Sequence, residues 1–174
     1  MKKKPALIYR MAAALICFSL STAVAQENKS QQKLPNVQVK DLEGKLVNVS
    51  TFSNNGKPVI ISFWATWCKP CISELESIAD DYDNWKKTTG VKLIAISIDD
   101  ARTSAGIKSL VSSRGWQYEV YNDYNKELYR ALGIANVPYT VILNGDGAVV
   151  ERHAGYNPGD EYHLLEAVKK ISGL

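Results

Sequence analysis

Two apolar, β-rich runs constrain this chain more than any other feature: VIISFW (Val59 to Trp64) and VKLIAISI (Val91 to Ile98). Neither alternates strictly between apolar and polar residues, so each suits a strand covered on both faces. Between them Ile72, Leu75, Ile78, Ala79, Tyr82 and Trp85 recur at helical spacing, and Thr89-Gly90 supplies a stop, since glycine accepts the left-handed cap. Strand, helix and strand make a βαβ unit, so the two strands run parallel and the crossover is right-handed. The chain is therefore of the α/β class, and its 174 residues, 45% of them hydrophobic, suit one domain with a full core.

The remaining pattern adds elements to that unit. Asn36 to Ser50 alternates on both sides of Leu42-Glu43-Gly44-Lys45 and predicts a β-hairpin. A helix is predicted from Arg102 to Ser113, with Ile107, Leu110 and Val111 inward, and a short strand over Gln117 to Tyr121. A short helix starts at Asn122-Asp123 and stops at Leu132-Gly133. YTVIL (Tyr139 to Leu143) and AVVERH (Ala148 to His153) flank Asn144-Gly145-Asp146-Gly147, a hairpin with turn chemistry at its tip. A last helix buries Leu164, Leu165, Val168 and Ile171 between Asp160 and Ile171.

Residues 1–25 are of another kind. A basic head (Lys2, Lys3, Lys4, Arg10) precedes an apolar run that ends in Ala23-Val24-Ala25, the small-x-small form of a signal-peptidase site. We expect a cleaved secretory leader; the alternatives are an uncleaved anchor and lipidation at Cys17, which has Ile16 where a lipoprotein signal wants a small residue. Residues 26–35 read as a flexible tether and 36–174 as the domain. Removing the four leader charges from the 21 Lys and Arg leaves 17 against 18 acidic residues, a net of −1. No basic field then argues for nucleic acid.

Without the leader only Cys68 and Cys71 remain, in FWATWCKPC (Phe63 to Cys71). A disulfide that closes two intervening residues is a poor staple, because stabilisation grows with loop length. A zinc half-site needs further ligands, and His153 and His163 lack the usual close spacing; no metal is expected. The pair sits where a strand ends and a helix begins. Helix-start N–H groups lack internal partners and stabilise a thiolate, so Cys68 is the candidate nucleophile. Cys71 lies one turn on, within reach of a mixed disulfide, and Pro70 fits the first turn.

FWATWCKPC after a buried strand, the βαβ unit and the later NVPYTVIL together resemble the thioredoxin superfamily, and more narrowly its TlpA/ResA-type exported thiol-disulfide oxidoreductases. The resemblance covers Pro35 to Leu174. It implies a thioredoxin fold: a central mixed sheet flanked by helices on both faces, with the Asn36–Ser50 hairpin and a mid-fold insertion over about Asp99–Tyr121. It also implies a cis Val137-Pro138 peptide facing the cysteines, with substrate paired to the backbone before that proline. Where thioredoxins have a buried aspartate on the strand before the motif, this chain has Ser62, which is no proton acceptor. Glu74 occupies the place of a glutamate that serves the cysteines in the TlpA/ResA-type proteins, and we expect it to replace the missing base.

Trp67, Lys69, Pro70, Val137 and Pro138 are the expected substrate-binding residues, with Trp64 and Trp67 shaping the rim and Trp64 partly in the core. Asp80, Asp81 and Asp83 read as a solvated helix face, Asp99 and Asp100 show no metal-loop spacing, and neither histidine has an evident catalytic partner. The expected enzyme is a monomeric disulfide reductase of the bacterial periplasm. It needs no cofactor beyond the Cys68–Cys71 dithiol, acts on protein disulfides that include apocytochrome c, and is recharged by a membrane-embedded electron donor. A disulfide-forming oxidase is the alternative; Lys69-Pro70 matches neither the Gly-Pro of thioredoxins nor the Pro-His of strong oxidases. A thiol-dependent peroxide reductase is disfavoured by Ala65 and Ile61, where peroxiredoxins have Thr or Ser and Pro. A non-catalytic binding module or chaperone is disfavoured by the intact Cys-x-x-Cys.

Overall fold

The computed structural model describes residues 32–174; the expected leader and the first part of the tether lie outside them. In chain order the elements are β1 (Gln38–Asp41), β2 (Leu46–Asn48), β3 (Val59–Trp64), α1 (Lys69–Thr89), β4 (Lys92–Ser97), α2 (Ile107–Arg114), β5 (Glu119–Asn122), α3 (Glu127–Ala131), β6 (Tyr139–Leu143), β7 (Val149–Ala154) and α4 (Asp160–Ile171). The strands form one mixed sheet in the order β2-β1-β5-β4-β3-β6-β7. β3 is buried along its whole length because it lies between parallel β4 and antiparallel β6. The predicted hairpin β1–β2 extends the sheet by antiparallel pairing of β1 with β5.

α1 begins at the cysteines and closes at Gly90, whose φ of 70° is the left-handed cap and whose N–H bonds to Lys86 O. Its buried stripe is Cys71, Glu74, Leu75, Ile78, Tyr82 and Trp85, so one carboxylate stands in an apolar row. α1 packs on β3 and on α4. Alternation along β3 turns Ser62 towards α1 and Phe63 to the opposite face, where it meets Tyr129 of α3 edge-on at 6.4 Å between centroids. Helices therefore cover both faces.

Three boundaries differ from the sequence reading. The helix predicted from Arg102 starts as a single 3₁₀ turn, Ser104–Gly106, and becomes α-helical only at Ile107. Asp100 captures the chain first: its carbonyl accepts from Thr103 and Ser104 N–H, and its carboxylate from Arg102 N–H. The inserted stretch thus runs through this turn and α2 and ends inside β5. The helix predicted from Asn122-Asp123 starts later, at Glu127, with buried Asp123 accepting from the N–H groups of Glu127 (2.9 Å) and Tyr129 (2.8 Å). The tether expected to reach Pro35 is pinned from Gln32. Gln32 O accepts from Val149 N–H at 2.7 Å, Lys33 bridges Ala148, and Leu34 is buried, because β7 offers an unpaired edge and Leu34 an apolar side chain. In the β6–β7 turn Gly145 passes so close to Gly56 that a Cβ would lie 2.2 Å from Gly56 O.

Candidate active site

The loop between β3 and α1 delivers the cysteines. Cys68 N–H bonds to Ala65 O at 3.0 Å, which turns the chain, and extended Cys68 becomes the N-cap of α1. Its Sγ accepts from Cys71 N–H at 3.3 Å, taking the place a serine or aspartate oxygen holds at an ordinary N-cap. The helix-start N–H that donates to this sulfur also stabilises it as a thiolate. The two cysteines are joined as a disulfide with Cα atoms 5.3 Å apart. They differ in access: Cys71 is fully buried, whereas Cys68 retains 6% exposure.

Around them, Trp67 is 58% exposed, Lys69 and Pro70 are exposed, Val137 is half-buried and Pro138 is buried. The Val137–Pro138 peptide is cis. The antiparallel pairing of Phe63 with Tyr139 carries Pro138 to the level of Trp64, at the end of β3 from which the cysteine loop leaves. Trp64 is not part of the rim. It is completely buried and stacks edge-on against Trp116 at 5.2 Å, leaving Trp67 as the exposed indole of the loop.

Glu74 lies one helical turn beyond Cys71 and is fully buried. Ser62 Oγ donates to its Oε2 and Thr140 Oγ1 to its Oε1, both at 3.0 Å. Burial raises the Glu74 carboxyl from 4.5 to about 7, against the lowering effect of the two hydroxyls. Ser62 is thus a hydrogen-bond donor to the buried Glu74 carboxyl. Thr140 had no signal in the sequence beyond its place in a strand. Asp99, read there as bland, is fully buried: its Oδ2 accepts from Thr66 N–H (2.8 Å) and Ser97 Oγ (2.6 Å), and its Oδ1 from Thr66 Oγ1 (2.7 Å). It ties the end of β4 to the cysteine loop two residues before Cys68. Among the described residues no group of three or more His, Cys, Asp and Glu side chains is placed to hold a metal ion. The arrangement offers one accessible sulfur at a helix start, a second sulfur behind it, and a carboxyl near neutrality behind the second.

The chain matches the AhpC/TSA family over residues 30–152. It is 33% identical over 181 residues to the thiol-disulfide oxidoreductase ResA of Bacillus anthracis, covering 98% of this chain and 99% of that one. To ResA of Bacillus subtilis strain 168 it is 29% identical over 159 residues, covering 87% and 86%. Among solved structures, a thioredoxin-like protein from Porphyromonas gingivalis superposes with a TM-score of 0.73 at 42% identity, over 80% of this chain and 92% of that one. StoA from Bacillus subtilis does so at 0.59 and 22% identity, over 76% and 98%, a likeness of fold. With a helix-capping Cys-x-x-Cys on a thioredoxin-like sheet, the chain belongs to the AhpC/TSA family and is a thiol-disulfide oxidoreductase.

Proposed function

We propose that the protein is an exported, monomeric disulfide reductase in which Cys68 attacks and Cys71 resolves. The observation that carries this reading is the buried Glu74 behind the buried sulfur. In the reduced protein the Cys68 thiolate attacks a substrate disulfide, forms the Cys68–substrate bond and releases one substrate sulfur as thiolate. The Cys71 thiol gives its proton to the Glu74 carboxylate and attacks Cys68 Sγ. The second substrate sulfur leaves and takes up the proton. Two electrons pass to the substrate, and Cys68–Cys71 is left as the disulfide.

Direction follows from charge. Stabilising the reduced thiolate makes a dithiol pair an oxidant. A buried carboxylate beside the pair does the reverse, and exposed Lys69 offsets it by little. Trp67, Lys69, Pro70, Val137 and Pro138 form the face that receives a protein substrate. Apocytochrome c is a substrate of the right kind, and a membrane-embedded dithiol donor is the partner that a reductase needs in an oxidising compartment. The leader over 1–25 supplies the export.

The test is the equilibrium potential of the Cys68–Cys71 couple, with the pH-rate profile of exchange in Glu74→Gln from pH 5 to 9. We expect a potential close to the roughly −270 mV of thioredoxin and a profile that loses its limb near neutrality in the variant. A potential near about −120 mV, that of strong oxidants, overturns the direction. An unchanged profile overturns the role of Glu74.

A further inference from the structure

We propose that His153, seated against Asp160, is a positioning residue for Glu74, bringing a switchable charge to the carboxyl that serves the resolving sulfur. The proposal rests on the role given to Glu74 above, and it concerns a histidine that the sequence left without a partner.

The register of three strands builds the arrangement. Thr140 on β6 stands directly opposite Ser62 on β3 and directly opposite His153 on β7. Directly opposed residues of antiparallel strands share a face, with Cβ atoms about 4.5–5.5 Å apart. Ser62, Thr140 and His153 therefore form one polar row on the face covered by α1. The first two donate to Glu74. The third is an imidazole whose Nε2 is buried without a hydrogen-bond partner, although the residue is half-buried overall. Asp160 Oδ2, at the first residue of α4, lies 3.5 Å from that nitrogen. That is too long for a hydrogen bond and close enough for charge attraction. Asp160 is held in place by Asn157, whose backbone N–H (2.7 Å) and Nδ2 (3.3 Å) donate to it, and these bonds keep its carboxyl below the usual range. A buried polar nitrogen with no partner is costly in a fold. An ion pair formed on protonation offsets that cost.

On α1 the two sulfurs are neutral as a disulfide. β3 and β6 present the hydroxyls. Tyr118, just before β5, has a phenol that burial pushes further up and keeps neutral. Tyr156 in the β7–α4 connection donates to Glu161 and shares a bond with Ser77. The nearby charges are then His153, which lowers the Glu74 carboxyl when protonated, and Asp160, which raises it. By reciprocity, a positive charge on the His153 ring and a negative charge on the Glu74 carboxyl favour each other. A protonated His153 favours the Glu74 carboxylate, the form that receives the Cys71 proton. A neutral one leaves Asp160 unopposed and tilts Glu74 towards its protonated form.

NMR titration of the oxidised protein tests this without any exchange reaction. The Glu74 carboxyl signal is assigned by its loss in Glu74→Gln. His153→Gln should move its midpoint up, and His153→Lys down, each by about half a pH unit, roughly threefold in the ionisation constant. A change of packing alone moves both variants the same way, and that result, or no movement, overturns the proposal. A reciprocal measurement leaves His153 in place: Glu74→Gln should lower the midpoint of the His153 ring by the same factor, with exposed His163 unmoved as the internal control. An unmoved His153 midpoint overturns the coupling even where the His153 variants fail to fold. An unchanged exchange profile in Glu74→Gln is a separate outcome, which removes the catalytic role of Glu74 and leaves the coupling standing.

Discussion

Glu74 makes the stability of the oxidised protein depend on pH in a way that one substitution should abolish. In the native state its carboxyl holds a proton up to about 7, against 4.5 for the ordinary side chain. Between those values the folded state binds more protons than the unfolded state, so stability falls as pH rises. The gap corresponds to on the order of 3 kcal/mol, fully lost once the pH exceeds the native value. Glu74→Gln carries no such slope. The amide keeps both contacts, because its oxygen accepts from one hydroxyl while the other hydroxyl turns to accept from its NH₂. The variant should match the parent near pH 4.5 and exceed it by about 3 kcal/mol above pH 7. Urea unfolding of both oxidised proteins at several pH values from 4.5 to 8 reads this difference directly. Parallel stability curves would refute the reasoning, since they would mean that Glu74 ionises alike in both states.

Two further outcomes follow from tight places elsewhere. Gly145→Ala puts a Cβ 2.2 Å from the carbonyl oxygen of Gly56, backbone that cannot rotate aside; we expect a loss of about 1–3 kcal/mol, visible as a lower Tm, and an unchanged Tm would show that the turn gives way freely. Asp99→Asn leaves one acceptor oxygen for the three donors from Thr66 and Ser97. It should cost about 1–3 kcal/mol and slow reduction of the disulfide by dithiothreitol as the cysteine loop loosens. Equal rates and stabilities would show that the loop is held by other means.

The parts of this structure that depend on local chemistry were legible in the sequence. A strand of six residues, five of them apolar, is buried on both faces, a glycine after a helical run caps the helix, and a cysteine pair at a strand-to-helix turn opens it. The parts that depend on which strand lies beside which were not. Ser62 read as the absence of a base because its partner is a helix residue twelve positions away. Thr140 and His153 fall into line with Ser62 only through the registers of β3, β6 and β7. Asp99 matches no metal-binding spacing, and its partners, a loop amide and two hydroxyls, come together only in the fold. Leu34 is buried although it lies in a polar stretch, and a single apolar side chain has no periodicity to announce it.

The contact between Glu74 and Thr140 spans 66 positions, and this bears on how the chain comes into being. A polypeptide that has emerged as far as α1 already presents both sulfurs. It lacks Thr140, Pro138 and His153, all of which belong to the last part of the chain to arrive. Its cysteines can meet any oxidant on the way, but the buried carboxyl, the cis proline and the closed sheet do not yet exist. Redox competence is in this sense a property of the finished sheet, acquired when β6 inserts beside β3, and an arrested nascent chain should react as an ordinary pair of thiols.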